Sequence, residues 1–280
     1  MALNTAVHVP VLLCVAFAKA ALPLPGMRKA LNHVLMTIAE SWIAINSALI
    51  RTLTHIDVAV TIDASLQSNG HYLVLANHQS WVDIPVLQLI LNRRIPLLRF
   101  FLKQQLIWVP LLGLAWWALD FPFMKRYSRD VLEKRPELAG RDVAATRRAC
   151  RKFRDIPVSI MNFVEGTRFT PVKHEKQGSP FLHLLKPRAG GVAFVLSAMG
   201  QALHAILDVT IAYPQGRPGM DDLLADRIPQ VQVHIRELPI PPELIAGDYQ
   251  NDAAFRERLQ IWINTLWEEK DARLRLATGG

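Results

Sequence analysis

His71-Tyr72-Leu73-Val74-Leu75-Ala76-Asn77-His78-Gln79-Ser80-Trp81-Val82-Asp83 is the stretch on which the reading of this chain turns. Its first part, His71–Ala76, is a short apolar run of the kind that forms a buried strand, and a helical pattern follows over 80–92. The polar turn between them places His78 two residues beyond the carboxyl end of a strand. There it stands five residues before Asp83. An imidazole held by a carboxylate acts as a general base near neutral pH, because the acid fixes the tautomer and stabilises the imidazolium. The pair suits removal of a proton from a hydroxyl. A helix cap at Asp83, or two solvated residues, would give the same spacing, so neighbouring segments must decide.

Outward from this stretch, apolar runs rich in branched residues predict further strands at 55–62, 96–101, 119–123, 157–163, 205–213 and 231–236. Helical patterns fall at 142–153, 191–198 and 252–274. Such alternation implies an α/β fold with a mixed, mostly parallel sheet flanked by helices, whose functional residues gather at the carboxyl ends of strands. The Pro- and Gly-rich segments 214–219 and 239–247 read as surface loops.

The 280 residues are 51% hydrophobic and 20% charged, and 32 Lys and Arg against 24 Asp and Glu give a net charge of +8. The mean hydropathy is +0.16. Positive charge favours an anionic partner: a lipid headgroup surface, a phosphorylated small molecule or nucleic acid. Cys14 and Cys150 form no disulfide framework or metal spacing, and no metal site is expected from His78, Asp83 and Glu165. Near the amino terminus, 9–25 is apolar but interrupted by Lys19 and by prolines, too short for a comfortable span. A cleaved leader is disfavoured because 1–10 contains no Lys or Arg. The next segment, 31–51, places Leu31, Leu35, Ile38, Trp42 and Ile45 on one helical face and His33, Thr37, Glu40 and Ser41 on the other. With the Pro-Leu-Pro-Gly turn at 23–26, these segments read as an N-terminal membrane-associated helical hairpin, 1–52, ahead of an α/β domain, 53–280.

Two further segments carry chemistry. Phe163-Val164-Glu165-Gly166-Thr167-Arg168-Phe169 ends a predicted strand with a guanidinium, a hydroxyl and a permissive backbone, a combination suited to cradling phosphate. A strand-end turn with a Glu–Arg ion pair is the alternative. The run Lys103-Gln104-Gln105-Leu106-Ile107-Trp108-Val109-Pro110-Leu111-Leu112-Gly113 leads through Trp116-Trp117 to Leu119-Asp120-Phe121-Pro122-Phe123-Met124-Lys125-Arg126. Core packing accounts for the apolar part, Trp116 and Trp117 included. It does not account for the paired cations.

With these segments in hand, the chain resembles the glycerolipid acyltransferases, best known for the lysophosphatidic acid (1-acylglycerol-3-phosphate) acyltransferases. The wording of 119–126 and 163–169 is similar to a bacterial inner-membrane branch related to the lysocardiolipin acyltransferases. Four family blocks occur in order over roughly 70–214. His78 and Asp83 match the catalytic pair, with Asn77 beside them. Lys103, Pro110, Gly113 and Arg126 match the second block, Glu165, Gly166, Thr167 and Arg168 the third, and 207–214 the fourth. The chain departs from the commoner pattern at Val164, Phe169 and Val209-Thr210.

The resemblance implies transfer of a fatty acyl group from a thioester to a lysophospholipid hydroxyl, most simply lysophosphatidic acid. Arg126, Glu165, Gly166, Thr167 and Arg168 would hold the substrate phosphate, although Glu165 could instead brace the loop at His78. No cofactor is implied, only acyl-CoA or acyl-acyl carrier protein as co-substrate, and the expected location is the cytoplasmic face of a bacterial inner membrane. The basic run 125–154 reads as a solvated helix face, or as a surface for anionic lipid or the phosphates of coenzyme A. A hydrolase using the same His–Asp pair on water is a rival reading. A nucleic-acid-binding protein is another, but the basic residues lack interleaved aromatics, so no nucleic-acid partner is expected.

Overall fold

The computed structural model describes residues 1–22, 24–124, 153, 156–245 and 247–279. Lys125, Arg126, Cys150, nearly all of the basic run and all but Phe153 of the helix expected at 142–153 lie outside the described residues.

The chain opens with two apolar helices, α1 (Ala2–Ala21) and α2 (Pro25–Leu53). Helix α1 begins well before the expected apolar segment and carries Pro10 within it. At 20 residues it is about 30 Å long, close to the hydrocarbon thickness of a bilayer. By length and composition both helices could cross a membrane. They pack on each other around Leu12, Ala16, Leu35 and Ala39, and the Asn4 side-chain amide donates to the Trp42 carbonyl and to Asn46 Oδ1, each at 3.0 Å.

The sheet comprises β1 (Asp57–Asp63), β2 (His71–Ala76), β3 (Leu98–Phe100), β6 (Val158–Phe163), β7 (Ala205–Ala212) and β8 (Gln230–Leu238), in the order β1-β8-β7-β2-β6-β3. Strands β2, β3, β6 and β7 run parallel; β8 is antiparallel to β7, and β1 is parallel to β8. The carboxyl ends of β7, β2 and β6 therefore lie side by side at one edge, with β2 in the middle.

Helices cover both faces, and the two-residue alternation of the strands sorts the core accordingly. Tyr72, Val74 and Ala76 of β2 face α3 (Asp83–Leu91). Leu73 and Leu75 face α6 (Ala189–Met199) and α8 (Ala253–Thr278). Asp252 caps α8 by accepting from Phe255 N at 3.0 Å. The helix is also tied to the sheet by buried Lys270, whose ammonium lies 2.7 Å from Asp208 Oδ1 and donates to the Val209 carbonyl at 2.6 Å.

Between β3 and the undescribed segment, β4 (Leu102–Lys103) pairs with β5 (Phe123–Met124) around a 3₁₀ turn, Gln104–Trp108, and α4 (Leu112–Ala118). The strand expected at 119–123 is thus confined to its end. Leu119 closes α4 and Asp120 adopts a left-handed backbone (φ 58°), which turns the apolar run instead of extending it. Trp117, expected in the core, is 48% exposed, whereas Trp116 packs against the α1–α2 cluster. Gly113 lies so close to the 3₁₀ turn that a Cβ there would stand 2.0 Å from the Ile107 carbonyl oxygen. Among the described residues there are also two short helices, α5 (Pro171–Gln177) and α7 (Met220–Leu224), and a 3₁₀ turn at Pro242–Leu244.

Candidate active site

Where β2 ends, Asn77 keeps the backbone attached to β7 through its side chain. Its amide donates to the Ile211 carbonyl at 2.8 Å, and its Oδ1 accepts from Ile211 N at 2.9 Å. Two reciprocal bonds from a buried amide continue the ladder beyond the strand and fix the start of the following turn.

Asp83 is the first residue of α3, where a negative charge is favoured by the helix's free N–H groups. Its carboxylate is fully buried. Oδ2 accepts from Gln79 N (2.7 Å), Ser80 N (2.9 Å) and His78 Nδ1 (2.8 Å). Because a carboxylate only accepts, the imidazole carries its proton on Nδ1 and presents the lone pair of Nε2. Ser80 tightens the same turn, its hydroxyl accepting from Val82 N and donating to the Pro218 carbonyl at 2.5 Å. Tyr213, one residue past β7, donates to Asp83 Oδ1 at 2.8 Å. Burial, with Asp83 beside it, holds the Tyr213 phenol well above its ordinary pKa, so it remains a donor.

His78 is 8% exposed, and its ring stacks on Phe163, the last residue of β6, with centroids 3.9 Å apart and planes 11° from parallel. Ala76 and Phe163 are register partners across β2 and β6, so strand pairing itself delivers this contact. The loops beyond are laced together by Val164 N to Ala76 O (3.2 Å) and Phe169 N to His78 O (2.8 Å). Gly166 makes this turn with φ 71°, a conformation that disfavours a side chain.

Glu165 is turned inward and completely buried. Oε1 accepts from His78 N and Oε2 from Leu185 N, both at 3.1 Å. Burial drives its carboxyl up to about pKa 8 despite those donors. A carboxyl so enclosed braces the backbone at His78 and Leu185. It forms no ion pair with Arg168. The Arg168 guanidinium instead lies over the exposed Trp81 ring, 4.4 Å from its centroid. Lys173 Nζ donates to Thr167 Oγ1 at 2.8 Å and to the Arg168 carbonyl at 2.9 Å, adding a cation that the sequence reading missed.

Arg217 was likewise missed, its loop having been read only as surface. It donates to Gln79 Oε1 at 2.5 Å and lies 3.7 Å above the Phe169 ring. Gln79 reaches in turn to the His183 carbonyl at 3.0 Å. The available signal was position, since a cation just past the carboxyl end of β7 falls beside the turn that follows β2. Tyr213 carried no assigned role within the fourth block. Lys103, Pro110 and Gly113 belong to the β4–α4 segment, where Lys103 is exposed and Gly113 buried.

The arrangement can accept a proton at a nearly covered imidazole and place cations at its rim. The family model described as Acyltransferase matches residues 57–213, more than half of the chain. Chicken lysocardiolipin acyltransferase 1 is 28% identical over 254 residues, covering 85% of this chain and 62% of that protein. Human 1-acyl-sn-glycerol-3-phosphate acyltransferase gamma is 28% identical over 182 residues, covering 61% and 43%. The chain thus spans about three fifths of the length of the lysocardiolipin relatives it matches. The crystal structure of the 1-acyl-sn-glycerophosphate (LPA) acyltransferase PlsC from Thermotoga maritima has the same fold, with TM-score 0.50 and 18% identity over 94% of this chain and 93% of that one. On the extent of the family match, from β1 to the tyrosine that meets Asp83, this chain belongs to the acyltransferase family.

Proposed function

We propose that this protein transfers a fatty acyl group from a thioester donor, acyl-CoA or acyl-acyl carrier protein, to the free hydroxyl of a lysophospholipid. The observation that carries the reading is the His78–Asp83 pair, whose carboxylate is saturated with donors so that the ring is held in one tautomer. The acceptor oxygen attacks the thioester carbonyl carbon while its proton passes to His78 Nε2. The tetrahedral intermediate then expels sulfur, which leaves as a thiol after taking the proton back from His78, and the new ester remains on the lipid. General-base assistance of this kind contributes about 10²–10⁴ in rate.

Arg168, Thr167 and Gly166, with Arg126 by the family resemblance, hold the acceptor phosphate and so orient its hydroxyl against the imidazole. Holding two reactants in register is a large part of the rate enhancement for such a reaction. Lysophosphatidic acid, which would give phosphatidic acid, is the acceptor we assign. The apolar hairpin α1–α2 anchors the chain on a membrane, in a bacterium the cytoplasmic face of the inner membrane.

The test is lipid mass spectrometry of membranes containing wild-type protein or His78→Ala, supplied with an acyl thioester and a series of lysophospholipids. Diacyl product from lysophosphatidic acid should form with wild type and fall at least about a hundredfold with the variant. Free fatty acid alone would indicate attack by water and a hydrolase. Full diacyl formation by folded His78→Ala would remove the imidazole from the mechanism.

A further inference from the structure

The crossover between the parallel strands β4 and β5 contains a surface that catalysis does not explain. Residues 104–119 include no Asp, Glu, Lys or Arg and are bounded by Lys103 and Asp120. Trp108 is 84% exposed, and Leu111, Leu114 and Trp117 are exposed with it. Leu114 and Trp117 lie three residues apart and share one face of α4. The other face is fixed: Ala118, Leu119 and Phe121 are buried with Leu12 and Ala16 of α1 and Leu35 and Ala39 of α2, and Ala115 is buried as well. The Lys19 ammonium fastens the end of α4 to α1 through Asp120 at 3.0 Å. Leu111 is exposed even though its backbone is left-handed (φ 61°), an unusual conformation for leucine at a position that contributes no core packing.

We propose that Trp108, Leu111, Leu114 and Trp117 form a second lipid-contact patch, entering the same leaflet as the α1–α2 hairpin and moving with it as one unit. Continuity argues for lipid over a protein partner. The patch is carried by an element packed on α1, and α1 itself shows Val7, Val11 and Phe17 to the outside. Tryptophan favours the interface between headgroups and acyl chains, and an uncharged stretch ending at an exposed lysine suits the same depth. Two contacts on one rigid frame fix the tilt of the α/β domain, whereas a hairpin alone would let it pivot.

This inference rests on the membrane anchoring proposed above, and the experiment separates the two. In full-length Cys14→Ser, Cys150→Ser protein, an environment-sensitive fluorophore is attached in turn at Phe17→Cys, Leu114→Cys and Ile261→Cys. Each is mixed with phosphatidylcholine–phosphatidylglycerol vesicles, with or without brominated acyl chains. Labels at 17 and 114 should shift to the blue and lose at least half their emission to brominated lipid, while the label on α8 at 261 should not respond. Quenching at 17 with 114 unchanged would overturn the patch and leave the anchor standing. A blue shift at 114 without quenching would mark a protein partner and overturn it equally. No response at either 17 or 114 would remove the anchor and this inference together.

Discussion

The Tyr213 hydroxyl donates to Asp83 Oδ1 at 2.8 Å, on the opposite side of the carboxylate from the His78 ring, which is held by Oδ2. The tyrosine follows β7 and the aspartate begins α3, so the bond joins the end of a strand to the start of a helix across the site. It serves two physical ends. A buried carboxylate without enough donors bears an uncompensated desolvation cost. A carboxylate held from both sides also cannot rotate away from the ring.

Tyr213→Phe tests this role. The phenyl ring keeps the packing, and the backbone donors to Oδ2 remain, so the fold should persist. Loss of one hydrogen bond to a buried charge, worth about 1.5–3 kcal/mol, should lower kcat by about tenfold or more, with KM for the acceptor little changed. Steady-state kinetics over a range of acceptor concentrations gives the split. An unchanged kcat would mean that the backbone donors alone orient Asp83.

Arg168 is presented differently, through a cation–π contact with Trp81 that holds its guanidinium over the indole. Arg168→Lys retains the charge but loses both the planar fork and the stacking. The expected result is a rise of about tenfold in KM for a phosphate-bearing acceptor and a smaller change in kcat. Trp81→Ala should move KM in the same direction. Equal KM values for wild type and Arg168→Lys would place phosphate recognition elsewhere.

Gly113 predicts a purely structural effect. An alanine methyl would meet the Ile107 carbonyl oxygen at 2.0 Å and its carbon at 2.6 Å, and neither is the end of a flexible side chain. Gly113→Ala should destabilise the protein by about 1–3 kcal/mol, seen as a lower melting temperature, because the 3₁₀ turn and α4 must separate. A melting curve superimposable on wild type would show that the crossover yields freely.

Much of this architecture was legible because its signals are local. Strands buried on both faces, such as β2 and β7, appear as unbroken apolar runs. The His78–Asp83 contact spans five residues and sits where a strand gives way to a helix. What escaped the reading depends on distance or on a direction that composition does not encode. Tyr213 reaches an aspartate 130 residues earlier in the chain. Trp117 contributes equally to an apolar run whether it faces a core or the outside, and only the packing of α4 on α1 decides. Glu165 beside Arg168 suggested an ion pair, yet the left-handed turn at Gly166 lets the two side chains diverge.

Glu165 offers a prediction in pH. Burial raises its carboxyl from the ordinary 4.5 to about 8, so between those values the folded protein holds a proton that the unfolded chain has lost. The stability associated with that proton is complete below 4.5 and is lost as pH rises through about 8. Glu165→Gln cannot titrate, and its amide nitrogen must face one of the two backbone donors, from His78 or Leu185, leaving that donor unmatched. Below neutral pH the variant should therefore be less stable than wild type, by about 1–3 kcal/mol. The gap should narrow as the pH is raised from about 6 to about 9, because only wild type loses the contribution of the bound proton. Melting temperatures of the two proteins across that range measure it. A gap that stays constant or widens would mean that the carboxyl is already ionised at neutral pH, with its two N–H donors outweighing burial.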